Sequence, residues 1–96
     1  MTVYVLAQLS FTDRAAYDRY QARFMDVFRR FEGRLLAADE RPTVLEGHWD
    51  REKVVLMSFP DEAAARRFID APAYAEISKD RHAGAQTVSL LVRGLG

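Results

Sequence analysis

The run "VVLMSF", Val54 to Phe59, constrains the fold more than any other stretch of this chain. β-branched and aromatic residues at this density read as a strand. On a strand, Val54 and Leu56 point to one side and Val55, Met57 and Phe59 to the other, so neither side is polar. A strand with one face in water alternates between apolar and polar residues; this one requires cover on both faces.

The other periodicities identify the first layer of cover. Val3, Val5, Ala7, Leu9 and Phe11 recur every second residue, which predicts a strand over residues 3–10. Ser10 or Thr12 is a candidate cap for a helix with Asp13 in its first turn, where a negative charge meets the helix dipole. Along it Ala16, Tyr17, Tyr20, Phe24, Val27, Phe28 and Phe31 form one stripe at helical spacing, and Gly33 supplies the stop. "GRLLAAD" reads as a second strand, interrupted at "ERPT" because Pro42 cannot donate to a ladder. "VLEGHW" then resumes an extended path, and "DREK" is a turn into the third strand. "PDEAAARRFID", with Asp61 as N-cap, and "PAYAEISKDR", opened by Pro72, read as two helices, and "QTVSLLV" as the last strand. The order is strand, helix, two strands, a helix pair, strand. This is the split βαβ pattern of an α+β, ferredoxin-like fold, a four-stranded antiparallel sheet with its helices on one face.

Ninety-six residues make a single domain, 1–96, since two cores would each be too small. Fourteen basic and fourteen acidic residues give zero formal net charge, which argues against long-range attraction to nucleic acid or to an anionic membrane. Cysteine is absent, so disulfides, thiol catalysis and thiolate metal sites are excluded, and two histidines are too few for a histidine-rich metal site. There is no phosphate-cradling glycine loop, serine nucleophile elbow or metal-binding helix motif, so neither a metal nor a cofactor is expected. The start "MTVYVLAQLS" has no basic leader, and no apolar run approaches the roughly 20 residues that span a bilayer; a cytoplasmic address is the expectation.

With helices on one face only, the second apolar face needs another occupant. A second copy presenting the same face is the usual solution, so a homodimer packed sheet to sheet is expected. "YDRYQARF", "EGRLLAA", "VLEGHW", "VVLMSFPDEAAARRFIDAPAYAEI" and "DRHAGAQTVSLLV", in this order, resemble the family known as domain of unknown function 1330 across essentially the whole chain. That family is similar to dimeric α+β barrel proteins, in which two ferredoxin-like subunits close a barrel between their sheets. The resemblance therefore implies the same dimer. Tyr17, Tyr20, Gly33, Arg34, Glu46, Gly47, Trp49, Phe59, Pro60, Tyr74 and Arg81 match its pattern. Glu32 stands where a second glycine is typical, and His48 where an acidic or small polar residue is usual, so chemistry at His48 would be peculiar to this chain. The wider superfamily includes cofactor-independent oxygenases of aromatic substrates, lactone isomerases and haem-degrading enzymes, a range of activities rather than one.

Several residues are candidates for a site. On one strand Glu46 and His48 would point the same way, either as an acid–base pair or simply toward solvent or the dimer seam. Tyr74, Ile77, Ser78 and Arg81 share a helix face. The Arg81 guanidinium is suited to clamp a carboxylate or enolate with two parallel bonds, the alternative being a salt bridge to Glu46, Glu76 or Asp80. His82 beside it is either a base or a charge at a helix end. Trp49 reads as a turn or interface anchor, or as a ring for a ligand, and Gln8 as a hydrogen-bonding residue on the first strand. The candidate catalytic set is His48, Tyr74 and Arg81, and the candidate substrate-binding set is Arg81, Trp49, Gln8 and, from the mostly core aromatic stripe, Phe28. Two functional readings follow. One is a cofactor-independent enzyme, of oxygenase or isomerase type, acting on a small apolar or aromatic acid near Arg81. The other is a non-catalytic binding or assembly module, which predicts that side chains fill the space around Arg81.

Overall fold

The computed structural model describes residues 1–96 and gives the expected order: β1 (Val3–Phe11), α1 (Arg14–Phe28), β2 (Arg34–Asp39), β3 (Lys53–Phe59), α2 (Glu62–Ile69), α3 (Pro72–Gly84) and β4 (Ala85–Arg93). The sheet order is β2-β3-β1-β4, all neighbours antiparallel. This is a ferredoxin-like α+β fold with three helices on one face.

Local chemistry sets the boundaries. Asp13, not Ser10 or Thr12, caps α1, its carboxylate accepting from the Ala16 amide. β1 therefore runs one residue further than expected, to Phe11, whose amide donates to Glu52 Oε1. α1 ends at Phe28 rather than at Gly33, yet Phe31 still packs on Phe68, with ring centroids 5.6 Å apart. Asp61 caps α2 through the Ala64 amide, and Pro72 opens α3. β3 begins at Lys53, one residue earlier than the "VVLMSF" run predicts, so the last residue of "DREK" belongs to the strand rather than to the turn.

"VLEGHW" does not join a strand. Gly47 adopts a φ of 85°, a left-handed conformation that ends any simple alternation across Glu46, Gly47 and His48. Glu46 and His48 therefore do not share a strand face; both are exposed on the loop between β2 and β3.

Strand register sorts the side chains into two layers. On the helix side Lys53, Leu9 and Thr87 lie in one row across β3, β1 and β4, then Val55, Ala7 and Ser89, then Met57, Val5 and Leu91. The rings of Phe24, Phe28, Phe59 and Phe68 fill the far end, with Phe28 5.1 Å from Phe68 and 6.0 Å from Phe59, in edge-to-face contacts. The opposite layer carries Leu6, Leu56 and Leu90 in one row, flanked by Gln8, Val54 and Val88. No helix covers it: Val88, Leu90 and Val92 are 40%, 47% and 45% exposed.

At its C-terminal end α3 lies directly on the start of α1. The Gly84 carbonyl accepts from the amides of Thr12 and Asp13, and a Cβ at Gly84 would fall on the Tyr17 backbone nitrogen and the Asp13 carbonyl.

Candidate functional site

The middle row of the helix-facing layer is shallow. Ala7 and Ser89 are cross-strand partners and present a methyl and a hydroxymethyl where the neighbouring rows carry Leu9 and Val5. Above this floor α1 contributes Tyr17, Tyr20, Gln21 and Phe24, spaced to share one face, and α3 contributes Tyr74 and Arg81, two turns apart on one face. Between them lies a cavity of about 360 Å³, within the usual range for a small-molecule site.

The cavity is amphipathic. Val5, Met57, Phe24, Phe68 and Ile69 line its apolar end. Its polar end carries Lys53, Gln21, Tyr17, Arg81, Thr87 and Ser89, and no carboxylate lines it anywhere. The two cations lie on adjacent rings, Lys53 Nζ 4.9 Å from the Tyr17 centroid and the Arg81 guanidinium 5.7 Å from that of Tyr20, with the two rings 5.6 Å apart. Such placement rests each cation on a ring quadrupole; Arg81 has no counter-charge, whereas Lys53 also lies 3.8 Å from Glu40.

Arg81 forms no salt bridge. Asp80 pairs with Arg19 and Glu76 with Lys79, and the loop carries Glu46 in solvent. Its one polar contact is a long 3.4 Å approach to His82 Nε2, while its buried Nε and the buried hydroxyl of Thr87 have no protein partner. Buried polar groups are nearly always satisfied, so unpaired donors lining a cavity mark a place for an acceptor.

Tyr20 and Tyr74 share a hydroxyl–hydroxyl bond of 2.9 Å. Burial, with the Tyr74 hydroxyl beside it, holds the Tyr20 phenol well above the ordinary range, and burial pushes Tyr17 up to about 12, so both keep their protons at neutral pH. Lys53 is the opposite case: burial lowers its ammonium below the usual lysine range, and Glu40, 3.8 Å away, only partly offsets this. Glu40 is itself gripped by both terminal nitrogens of Arg14, at 2.7 and 2.8 Å, which holds its carboxyl below the usual range.

Of the residues singled out in the sequence, the structure brings Arg81 and Tyr74 together and leaves the others outside the cavity. His48 is exposed on the β2–β3 loop. Gln8 lies on the helix-free layer, where its side-chain carbonyl accepts from Trp49 Nε1 at 2.9 Å, so the loop's tryptophan is pinned to the far side of the sheet from Arg81. Phe28 is packed among core rings and does not reach the cavity. Sequence reasoning missed Lys53, Tyr17, Tyr20, Thr87 and Ser89. The available signal was the period-two alternation itself, which, extended back from Val55, puts Lys53 on the helix side. No group of three or more His, Asp or Glu side chains is arranged to hold a metal ion, and no helix is long and apolar enough to cross a membrane.

Solved structures share this fold over nearly the full chain. The protein of unknown function RPA0582 from Rhodopseudomonas palustris superposes with a TM-score of 0.81 at 20% identity, covering 99% of this chain and 83% of that one. SnoaB, a cofactor-independent oxygenase from Streptomyces nogalater, gives 0.73 at 17% identity, covering 99% and 94%. A dabb family protein with a ferredoxin-like fold from Mesorhizobium loti gives 0.70 at 15%, covering 99% and 98%. At these identities the likeness is one of fold. No curated protein matches the sequence. The family model described as domain of unknown function (DUF1330) matches residues 2–95, and the chain belongs to that family.

Proposed function

We propose that this protein binds a small aromatic or enolic acid in the cavity between sheet and helices and activates it by holding it as an anion, chemistry of the cofactor-independent oxygenase or isomerase type. The observation that carries this reading is the carboxylate-free polar end, where the unpaired Arg81 Nε and Thr87 hydroxyl face an otherwise apolar space. Arg81 binds the anion, the Tyr20–Tyr74 hydroxyl pair donates to a developing oxyanion, and the apolar end holds a ring and keeps water from the charge. The resemblance in fold to SnoaB, itself a cofactor-independent oxygenase, is consistent with it. A purely structural module would fill the space around Arg81 with side chains; here that space is a cavity.

The test is a thermal-shift series with 2-naphthoate, 2-naphthol and 2-methylnaphthalene. The two ionisable ligands are expected to raise Tm in proportion to the logarithm of their concentration, and the hydrocarbon to do so weakly. Equal shifts from all three would leave an apolar hole without an anion site, and no shift from any would remove the ligand reading.

The working unit is a homodimer built through the helix-free sheet face. Val88, Leu90, Val92 and Leu36 make that face apolar and leave it open to water, which a second copy of the same face would relieve. Leu90→Glu places a charge in the central row and is expected to produce a lone subunit in sedimentation at micromolar concentration while leaving the helix-side core intact. A wild-type chain that already sediments as one subunit would overturn the dimer.

A further inference from the structure

Basic residues in this chain are almost all arginine, twelve of fourteen, and the two lysines have opposite surroundings. Lys79 is exposed and paired with Glu76, whereas Lys53 is 5% exposed and lines the polar end of the cavity. A guanidinium does not give up its proton in proteins, whereas a buried amine exchanges one readily. The one cation suited to proton exchange is therefore the one turned inward. Among the other groups at that end, Tyr17 and Tyr20 hold their protons through burial, and the Tyr74 hydroxyl is engaged with Tyr20.

We infer that Lys53 is the proton-accepting group of the cavity: its neutral amine takes the hydroxyl proton of an enol or phenol ligand, the O–H bond breaking as an N–H bond forms. The electron pair stays on oxygen, and the oxyanion rests against the new Lys53 ammonium and the Arg81 guanidinium. This identifies the ligand as a compound with an acidic hydroxyl on an unsaturated or aromatic carbon. It rests on the cavity being a ligand site, as proposed above.

The surroundings suit this step. Burial disfavours the ammonium, and Arg14 on α1 adds to that; Glu40 at the end of β2 and Asp18 on α1 oppose it. Arg81 on α3 and Tyr17 on α1 are the other ionisable groups facing the same end. Glu40 is tied by Arg14 through two hydrogen bonds, so its charge is shared between the arginine and the lysine. Gln21 Oε1 accepts from Nζ and orients it. Once protonated, the lysine returns its proton to product or solvent as the ligand leaves.

2-Naphthol, whose neutral and anionic forms absorb differently, reads the step directly in the full chain. Bound to wild type, its ionisation midpoint is expected to fall by about one unit or more relative to free naphthol. In Lys53→Met most of that shift should disappear while 2-methoxynaphthalene, which has no proton to lose, binds unchanged. Lys53→Arg separates proton acceptance from charge. Above the pH at which Lys53 is neutral, wild type should take up naphthol without releasing a proton to the medium, whereas the arginine variant should release a full proton per ligand. A wild-type shift that survives intact in Lys53→Met, or equal proton release by wild type and Lys53→Arg at every pH, overturns the inference. Wild type that binds neither naphthol nor its methyl ether overturns instead the reading of the cavity on which it rests.

Discussion

Phe68→Ala is expected to cost about 3–5 kcal/mol, the largest single-residue stability loss in the chain. Phe68 is 1% exposed, and its ring lies 4.3 Å from that of Tyr74, 5.1 Å from Phe28, 5.6 Å from Phe31, 5.8 Å from Phe59 and 6.1 Å from Phe24. Truncation removes the transfer energy of a ring and leaves a hole that five other aromatics cannot close, because each is held by its own neighbours. Against a total of about 5–15 kcal/mol for a domain, this is about a fifth of the stability or more. A domain of this size loses about 4–8 °C in Tm per kcal/mol, so a fall of at least about 12 °C should follow. Urea or thermal unfolding checks it, with Leu95→Ala at the fully exposed C-terminal end as the control expected to change little. A loss below about 1 kcal/mol would mean that the aromatic cluster is not the packed centre described here.

Arg81→Met should have the complementary signature, loss of ligand with little loss of fold. The arginine has no salt bridge to break, and its contacts with Tyr20 and Tyr74 are cation–π contacts worth about 0.5–1 kcal/mol each when partly exposed. Removing one member of a desolvated charge pair costs about 2–5 kcal/mol, which corresponds to a loss of affinity for 2-naphthoate of about 30-fold or more. At a ligand concentration near 100 times the wild-type Kd, the stabilisation of about 2.7 kcal/mol seen by wild type should fall below about 1 kcal/mol. The unliganded variant should melt close to wild type and keep the same oligomeric state. A naphthoate shift equal to that of wild type would remove Arg81 from the site.

The fold was legible because its elements carry strong, separate periodicities. The alternation of Val3 to Phe11, the stripe from Ala16 to Phe28, the cap at Asp61 and the helix-opening Pro72 each act within one element, and their order admits few topologies. The apolar outer face was legible for the same reason, from Val54 and Leu56 lying opposite Val55 and Met57. The site was legible only in part. Tyr74 and Arg81 were found because they share one helix face, a local relation. Lys53 was not, because a charged residue beside Arg51 and Glu52 resembles a turn until the register to Leu9 shows which way it points. The shallow floor depends on Ala7 meeting Ser89 across two strands distant in sequence, and a short side chain announces nothing until its partner is known. His48 misled through Gly47, whose left-handed backbone is invisible in a pattern that assumes continuous extension.

Gly84 sets how closely the two long helices can meet. With no room for even a methyl group between α3 and the backbone of α1, the two helices meet there without a spacer, and Arg81 sits one turn back from that junction. The ceiling at the charged end is therefore anchored at the backbone and does not give way as a flexible side chain would. Any substitution that widened this end would have to lever apart a whole helix pair rather than turn one rotamer.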